Sequence, residues 1–128
     1  MLHDKLHSYL EHLENNILIL KNAHIEKYEE ELLSGNRINL RIRIRFFTGQ
    51  LLELNEAIIV TDNSLMHLGY RYHFQDNKNK IIFRYDNTPH FPELESFPHH
   101  KHTGNSVISS PKPSIFDVLE MVIKIIQE

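Results

Sequence analysis

The chain has ten histidines in 128 residues, and six of them lie between His67 and His102. Arginine and aspartate alternate with aromatic residues in the same stretch. Imidazoles titrate near neutrality and can act as general base and general acid, while guanidinium forks match the geometry of a phosphate. Metal-free RNA cleavage needs such groups to take the 2′-hydroxyl proton, to protonate the leaving 5′-oxygen and to stabilise the charged intermediate. The candidate catalytic residues are Arg71, His73, Arg84, Asp86, His99, His100, Lys101 and His102.

Two predicted strands, Tyr70–Phe74 and Ile81–Tyr85, position half of this set across the polar loop 75–80. If their aromatic residues share one face, the four polar residues Arg71, His73, Arg84 and Asp86 share the other. The simplest register sets Arg71 opposite Arg84, and two arginines tolerate that closeness when an anion lies between them. The other candidates fall in residues 87–113, a Pro- and His-rich stretch that we expect to be a long loop. Loops of this length are typically functional or disordered.

Two other interpretations of the same residues stay open. Asp86 can simply pair with an arginine while the histidines decorate an exposed loop. His100-x-His102, with His90 or Asp86, can also supply three N/O ligands to a metal and leave one position open. Because the neighbouring arginines would repel a divalent cation, we expect no metal and no other cofactor.

A second cationic set lies on the strand Ile38–Phe46, in which apolar residues alternate strictly with polar ones. Its arginines form a ridge ~20 Å long on one face, which suits a phosphate backbone. The ridge can equally be neutralised by acidic residues, for example Arg45 by Glu53 or the arginines by the segment 26–31, or it can receive an acidic protein. The candidate RNA-binding residues are Arg41, Arg43, Arg45, Tyr70 and His90.

The elements that hold these residues predict an α+β fold. An apolar stripe at helical spacing predicts a helix over residues 2–15, and the following residues 17–33 are ambiguous. An antiparallel meander of about four or five strands follows, in which Leu51–Val60 returns along Ile38–Phe46 and pairs Phe46 with Leu52. After the loop, Ser114 caps a C-terminal helix. Both helices have one apolar stripe, so we expect them to cover one sheet face and leave the other to the arginines.

Composition limits the class of protein. The length fits a single domain over residues 1–128, and 41% hydrophobic residues argue against disorder. No cysteine is present, which excludes disulfides and thiolate chemistry and fits a reducing compartment, so we expect the cytoplasm. We find neither a segment able to span a membrane nor a secretion signal.

The segments YRYHFQ, FRYDNTPH and FPHHKH, followed by a Pro-rich stretch and the helix PSIFDVLEMV, resemble the TumE family. That resemblance implies the toxin of a toxin–antitoxin module, neutralised by a cognate antitoxin, and a ribonuclease mechanism is commonly suspected for such toxins. We therefore expect a metal-independent ribonuclease, with RNA as substrate and a homodimer as a further expectation. The alternatives are a non-catalytic module that binds RNA or an acidic protein, and a metal-dependent phosphoesterase. The matching positions are Tyr70, Arg71, His73, Arg84, Asp86, Asn87, His90, His99, His100, Lys101 and His102.

Overall fold

A computed structural model describes residues 2–127, which form one antiparallel sheet with a helix at each end of the chain. Each strand pairs with the next along the chain, so the sheet is a meander. The predicted α+β class is confirmed, with seven strands in place of four or five. The elements are α1 (Asp4–Leu18), β1 (Ala23–Ser34), β2 (Arg37–Phe46), β3 (Leu51–Thr61), β4 (Ser64–Gln75), β5 (Ile81–Asp86), β6 (His100–Thr103), β7 (Ser106–Ser109) and α2 (Ile115–Gln127).

The ambiguous residues 17–33 divide between a helix and a strand. Helix α1 continues past its predicted end to Leu18, because Ile17 extends the apolar stripe and is buried. Strand β1 follows, and a bulge between Ile25 and Lys27 shifts its register against β2. A bulge adds one residue to a strand and interrupts the alternation of faces. This is why a period of two could not be recognised there.

The prediction of a loop over residues 87–113 is wrong for the second half of that stretch, which forms the hairpin of β6 and β7. Thr103 pairs with Ser106, and Gly104 takes a positive φ of 53° in the turn. Glycine adopts this conformation without steric cost. Both strands have only four residues and contain mostly polar side chains, so they lack the apolar alternation that announces a strand. Residues 87–99 remain without a helix or strand.

The β2–β3 hairpin also has a different register from the predicted one. The loop consists of residues 47–49, and the Phe46 amide donates to the Gln50 carbonyl at 2.9 Å. Gly49 takes a φ of 98° at the end of this loop. Ile44 therefore lies opposite Leu52. The shift is by two residues, so every side chain keeps its predicted face.

The hydrophobic core lies between the two helices and one face of the sheet. Leu6, Leu13 and Ile17 of α1 are buried, as are Ile115, Val118, Leu119 and Val122 of α2. They pack with inward residues of β2 to β5, such as Ile42, Leu54 and Tyr72. The Ser114 hydroxyl accepts a hydrogen bond from the Asp117 amide at 3.0 Å and caps α2 as predicted. Both helices thus cover one face, which confirms that expectation.

Candidate functional site

The β4–β5 hairpin does not place its two arginines opposite each other. Arg71 lies opposite Asp86, and His73 lies opposite Arg84. The predicted pairing of Arg71 with Arg84 is wrong because a register shift beside Gln75 moves the strands relative to each other. An opposite-charge pair across two strands is stabilising, whereas a pair of arginines is not.

Strand β6 adds one residue to each of these two cross-strand pairs. His100 lies opposite Asp86, and His102 lies opposite Arg84. Residues directly opposite each other share a face, and this face is the one turned away from the helices. We call the resulting set the arginine–histidine patch. It consists of Arg71, His73, Arg84, Asp86, His100 and His102.

Asp86 is the centre of the patch, and its side chain is only 7% exposed. One carboxylate oxygen, Oδ1, lies 2.9 Å from Nε2 of His100 and also accepts the Thr88 amide hydrogen at 3.0 Å. The other oxygen, Oδ2, lies 3.6 Å from Nε2 of His102. On the far side of His100, Nδ1 donates to the Pro98 carbonyl at 3.0 Å, since a carbonyl oxygen can only accept. The orientation of the His100 ring is therefore fixed from both sides.

His102 is the more accessible of the two imidazoles. Its side chain is 26% exposed, against 2% for His100. The ring of Phe91 packs edge-on against both, with centroid separations of 6.1 Å to His102 and 5.0 Å to His100. Burial lowers the pKa of His102, the neighbouring His100 and Arg84 lower it further, and Asp86 opposes them. The lowered pKa of His102 favours the neutral imidazole, which can accept a proton.

The two arginines of the patch differ in how they are held. The Arg84 Nε donates to His73 Nδ1 at 3.1 Å, and Nε2 of His73 lies 2.8 Å from Oε1 of Gln75. Both ring nitrogens of His73 are engaged, and burial lowers its pKa. His73 therefore positions Arg84. Arg71 is exposed and takes part in none of the ion pairs found among residues 2–127.

Three of the candidate residues lie on the helix-covered side of the sheet. Tyr70 is buried there, and its hydroxyl is 3.0 Å from Nδ1 of His99. Lys101 places its ammonium 5.0 Å from the centroid of the Tyr85 ring. The structure therefore separates Tyr70, His99 and Lys101 from the arginine–histidine patch. His90 is exposed on the loop, directly before the Phe91 that covers the patch.

The arginine ridge of β2 is paired with glutamates of its neighbouring strands. Arg41 contacts Glu29 at 3.0 Å, while Arg43 and Arg45 contact Glu26 at 2.8 and 3.4 Å. Glu53 lies opposite Arg43, not opposite Arg45 as we expected, at 3.6 Å. Of the arrangements that the sequence left open, the structure has the one in which glutamates neutralise the arginine ridge.

A shallow groove of about 260 Å³ joins this ridge to the patch. Among its lining residues are Arg41, Asn55, Ala57, Gly69 and Arg71.

A second polar cluster, which the sequence analysis missed, lies between α1 and the sheet. Glu56 has a fully buried side chain, and it accepts hydrogen bonds from the hydroxyls of Tyr9, at 2.6 Å, and Tyr72. Nε2 of His67 lies 3.0 Å from the same carboxylate. Burial acts to raise the pKa of Glu56, but these three donors outweigh it and hold the pKa below its usual value. One signal could have revealed the cluster: Glu56 is the only charged residue on the inward face of Leu52–Val60.

Comparison with known proteins gives the class. A toxin family model matches residues 15–128, nearly the whole chain, so the protein is the toxin component of a toxin–antitoxin module and has an antitoxin as partner. The matching model is described as Toxin TumE, and the chain belongs to the TumE family. No curated protein and no solved structure matches the chain. Among residues 2–127, neither helix has the length and apolar character needed to cross a membrane.

Proposed function

We propose that this toxin is a cytoplasmic ribonuclease that cleaves RNA without a metal ion. One observation carries the proposal: a neutral, partly exposed imidazole, His102, lies beside a buried aspartate on a face that also holds Arg71 and Arg84. A general base must be unprotonated and accessible, and phosphate binding needs unengaged donors. The patch offers an accessible imidazole and guanidinium donors on adjacent strands.

The residues of the patch have distinct roles in this proposal. His102 takes the proton of the 2′-hydroxyl, which then attacks the neighbouring phosphorus. Arg71 and Arg84 bind the phosphate oxygens, on which negative charge develops. Asp86 orients His102 and stabilises the imidazolium that forms, and His100 holds Asp86 from behind. Asp86 and His100 are therefore positioning residues.

In-line displacement also needs an acid on the side opposite the base. His90 is the available candidate, because it is exposed and adjoins the Phe91 that contacts His102. Imidazole is a suitable acid at neutral pH. His99 and Lys101, which face the other side of the sheet, take no part in this scheme.

The groove beside the patch suggests how RNA lies on the protein. The row Arg41, Asn55, Arg71, Asp86 and His100 crosses five strands on one face. Asp86 and His100 are buried, so the accessible part of the row runs from Arg41 to Arg71; at ~4.8 Å between strands it spans ~10 Å, enough for a short stretch of single-stranded RNA. We propose that the RNA backbone crosses the strands along this row and reaches the patch at Arg71.

The test uses purified protein and a single-stranded RNA in excess EDTA. Cleavage that leaves a 2′,3′-cyclic phosphate and a 5′-hydroxyl, and that is blocked by a 2′-deoxy nucleotide at the cut site, supports the proposal. His102→Ala should slow cleavage by at least about a hundredfold, whereas His24→Ala, at an exposed histidine on β1, should not. Salt-sensitive RNA binding without cleavage would support the alternative of a binding module instead. A homodimer stays a prediction.

A further inference from the structure

We propose that Asp86, His100 and His102 bind a divalent transition-metal ion such as Zn²⁺, and that the bound ion inhibits cleavage. The binding site stands on geometry alone. The inhibition rests on the function proposed above, because an ion on the nitrogen that faces Asp86 leaves the ring's hydrogen on the other nitrogen, which His102 needs as a base. Metal binding thus becomes a means of regulating this toxin.

The distances fit a tetrahedral ion. One nitrogen or oxygen atom from each of the three residues lies within 4.8 Å of the others. Bonds of ~2.1 Å to zinc place tetrahedral ligands ~3.4 Å apart. Each imidazole has its own nearest oxygen of Asp86: Oδ1 lies 2.9 Å from Nε2 of His100 and Oδ2 lies 3.6 Å from Nε2 of His102, on either side of that value. Small side-chain movements would therefore complete the site.

The surroundings of the cluster resemble those of a built metal site. His100 donates its Nδ1 hydrogen to the Pro98 carbonyl, which leaves Nε2 directed at the cluster. This outer hydrogen bond is typical of histidines that bind metals. Asp86 is also held by the Thr88 amide, and Phe91 covers the two imidazoles with an apolar ring. The β5–β6 pairing fixes the spacing of the three ligands without help from a flexible loop.

Charge and access decide what a bound ion would do. Two cations adjoin the ligands in the register, with Arg71 opposite Asp86 and Arg84 opposite His102. Arg71 is exposed, and the Nε of Arg84 is bound to His73 on the strand away from β6. The exposed edge of His102 leaves a fourth position open to water or to a small anion. An ion bound to Nε2 of His102 displaces the hydrogen of the neutral ring to Nδ1, so neither nitrogen keeps a free lone pair and His102 cannot take the 2′-hydroxyl proton. The ion therefore stops the proposed reaction.

The experiment measures binding and cleavage separately. EDTA-treated protein is dialysed and titrated with ZnCl₂ in a calorimeter, and Co²⁺ is added in parallel to detect the visible absorption of a tetrahedral site. We expect one ion per chain and at least about tenfold weaker binding in His102→Ala. His99→Ala is the matched control, because this neighbouring histidine faces the other side of the sheet and should bind normally. Asp86→Asn serves as the second ligand variant, and thermal melts verify that each variant is folded.

The outcomes separate this proposal from the ribonuclease itself. Absence of binding, or equal binding by wild type and the folded His102→Ala variant, overturns the metal site. Zinc-dependent loss of cleavage in wild type supports the inhibition, and zinc-dependent gain overturns it. If wild type cleaves no RNA in EDTA, the ribonuclease proposal fails, whereas the calorimetric titration still decides whether the site exists.

Discussion

Replacing Glu56 by alanine should destabilise the protein more than replacing any exposed glutamate. The carboxylate is fully buried and accepts hydrogen bonds from Tyr9 and Tyr72, with His67 at 3.0 Å. Its removal leaves the buried Tyr72 hydroxyl without a partner and takes the charged acceptor from Tyr9 and His67, which are half-buried and 3.4 Å apart. Breaking a buried charged network in this way costs about 3–5 kcal/mol of unfolding free energy. For a chain of this length, that corresponds to a decrease in Tm of roughly 10–20 °C.

Graded variants test whether the hydrogen bonds cause the loss. Tyr9→Phe removes one donor and should cost about 1.5 kcal/mol. Glu31→Ala is the control, because Glu31 is exposed and lies 3.8 Å from Arg41, so its removal should cost less than about 1 kcal/mol. Chemical denaturation at constant pH gives all three values. A loss below about 1 kcal/mol for Glu56→Ala would refute the network as a stabilising feature.

The same network predicts a dependence of stability on pH. The pKa of Glu56 is lower in the folded protein than its usual value of 4.5. Its contribution to stability is therefore complete above pH 4.5 and is lost as the pH falls through the folded pKa. Glu56→Gln has no such titration. The difference in unfolding free energy between wild type and this variant should shrink as the pH falls below 4.5, and a constant difference would contradict the lowered pKa.

Four further predictions concern cleavage and RNA binding. His102→Ala should lower kcat by about 10²–10⁴-fold in a fluorescent RNA assay, because it removes the general base; a rate equal to that of His24→Ala would reject the assignment. The pKa of His102 is lowered, so kcat/KM should rise with pH through a midpoint below 6.5, and a midpoint above that value would exclude His102 as the base. His90→Ala should slow cleavage of ordinary RNA, but not of RNA with a 5′-thio leaving group, which needs no acid; equal slowing of both would exclude His90 as the acid. Arg71→Ala should weaken RNA binding and flatten its salt dependence more than Arg43→Ala does, because Glu26 and Glu53 already neutralise Arg43.

Alternation along a single strand was enough to predict which face a side chain takes. Ile38–Phe46 needed only a period of two, and the shared face of Arg71 and Asp86 followed in the same way. Which residues lie opposite each other depends on bulges and loop closure, which one strand does not encode. This explains why Arg71 was paired with the wrong residue.

The prediction of the site failed where structure depends on neighbours. Strand β6 has no apolar face of its own, and it exists because His100 and His102 pair with β5. Because β6 could not be predicted, the sequence could not show that His99 and Lys101 point away from His100 and His102. Glu56 was overlooked because its partners come from α1 and β4, far away in the chain.

The order of the strands has a consequence for synthesis of this protein on the ribosome. Each strand pairs with the one made just before it, so the sheet can grow in the order of translation with short loop closures. The last contacts needed by Asp86 come from β6, which begins at residue 100. A nascent chain that has not yet reached this point holds Arg71 and Arg84 but lacks both partner imidazoles. On the function proposed above, the active form of the toxin is therefore complete only after β6 has been made, so an antitoxin that is already present can bind the chain before activity appears.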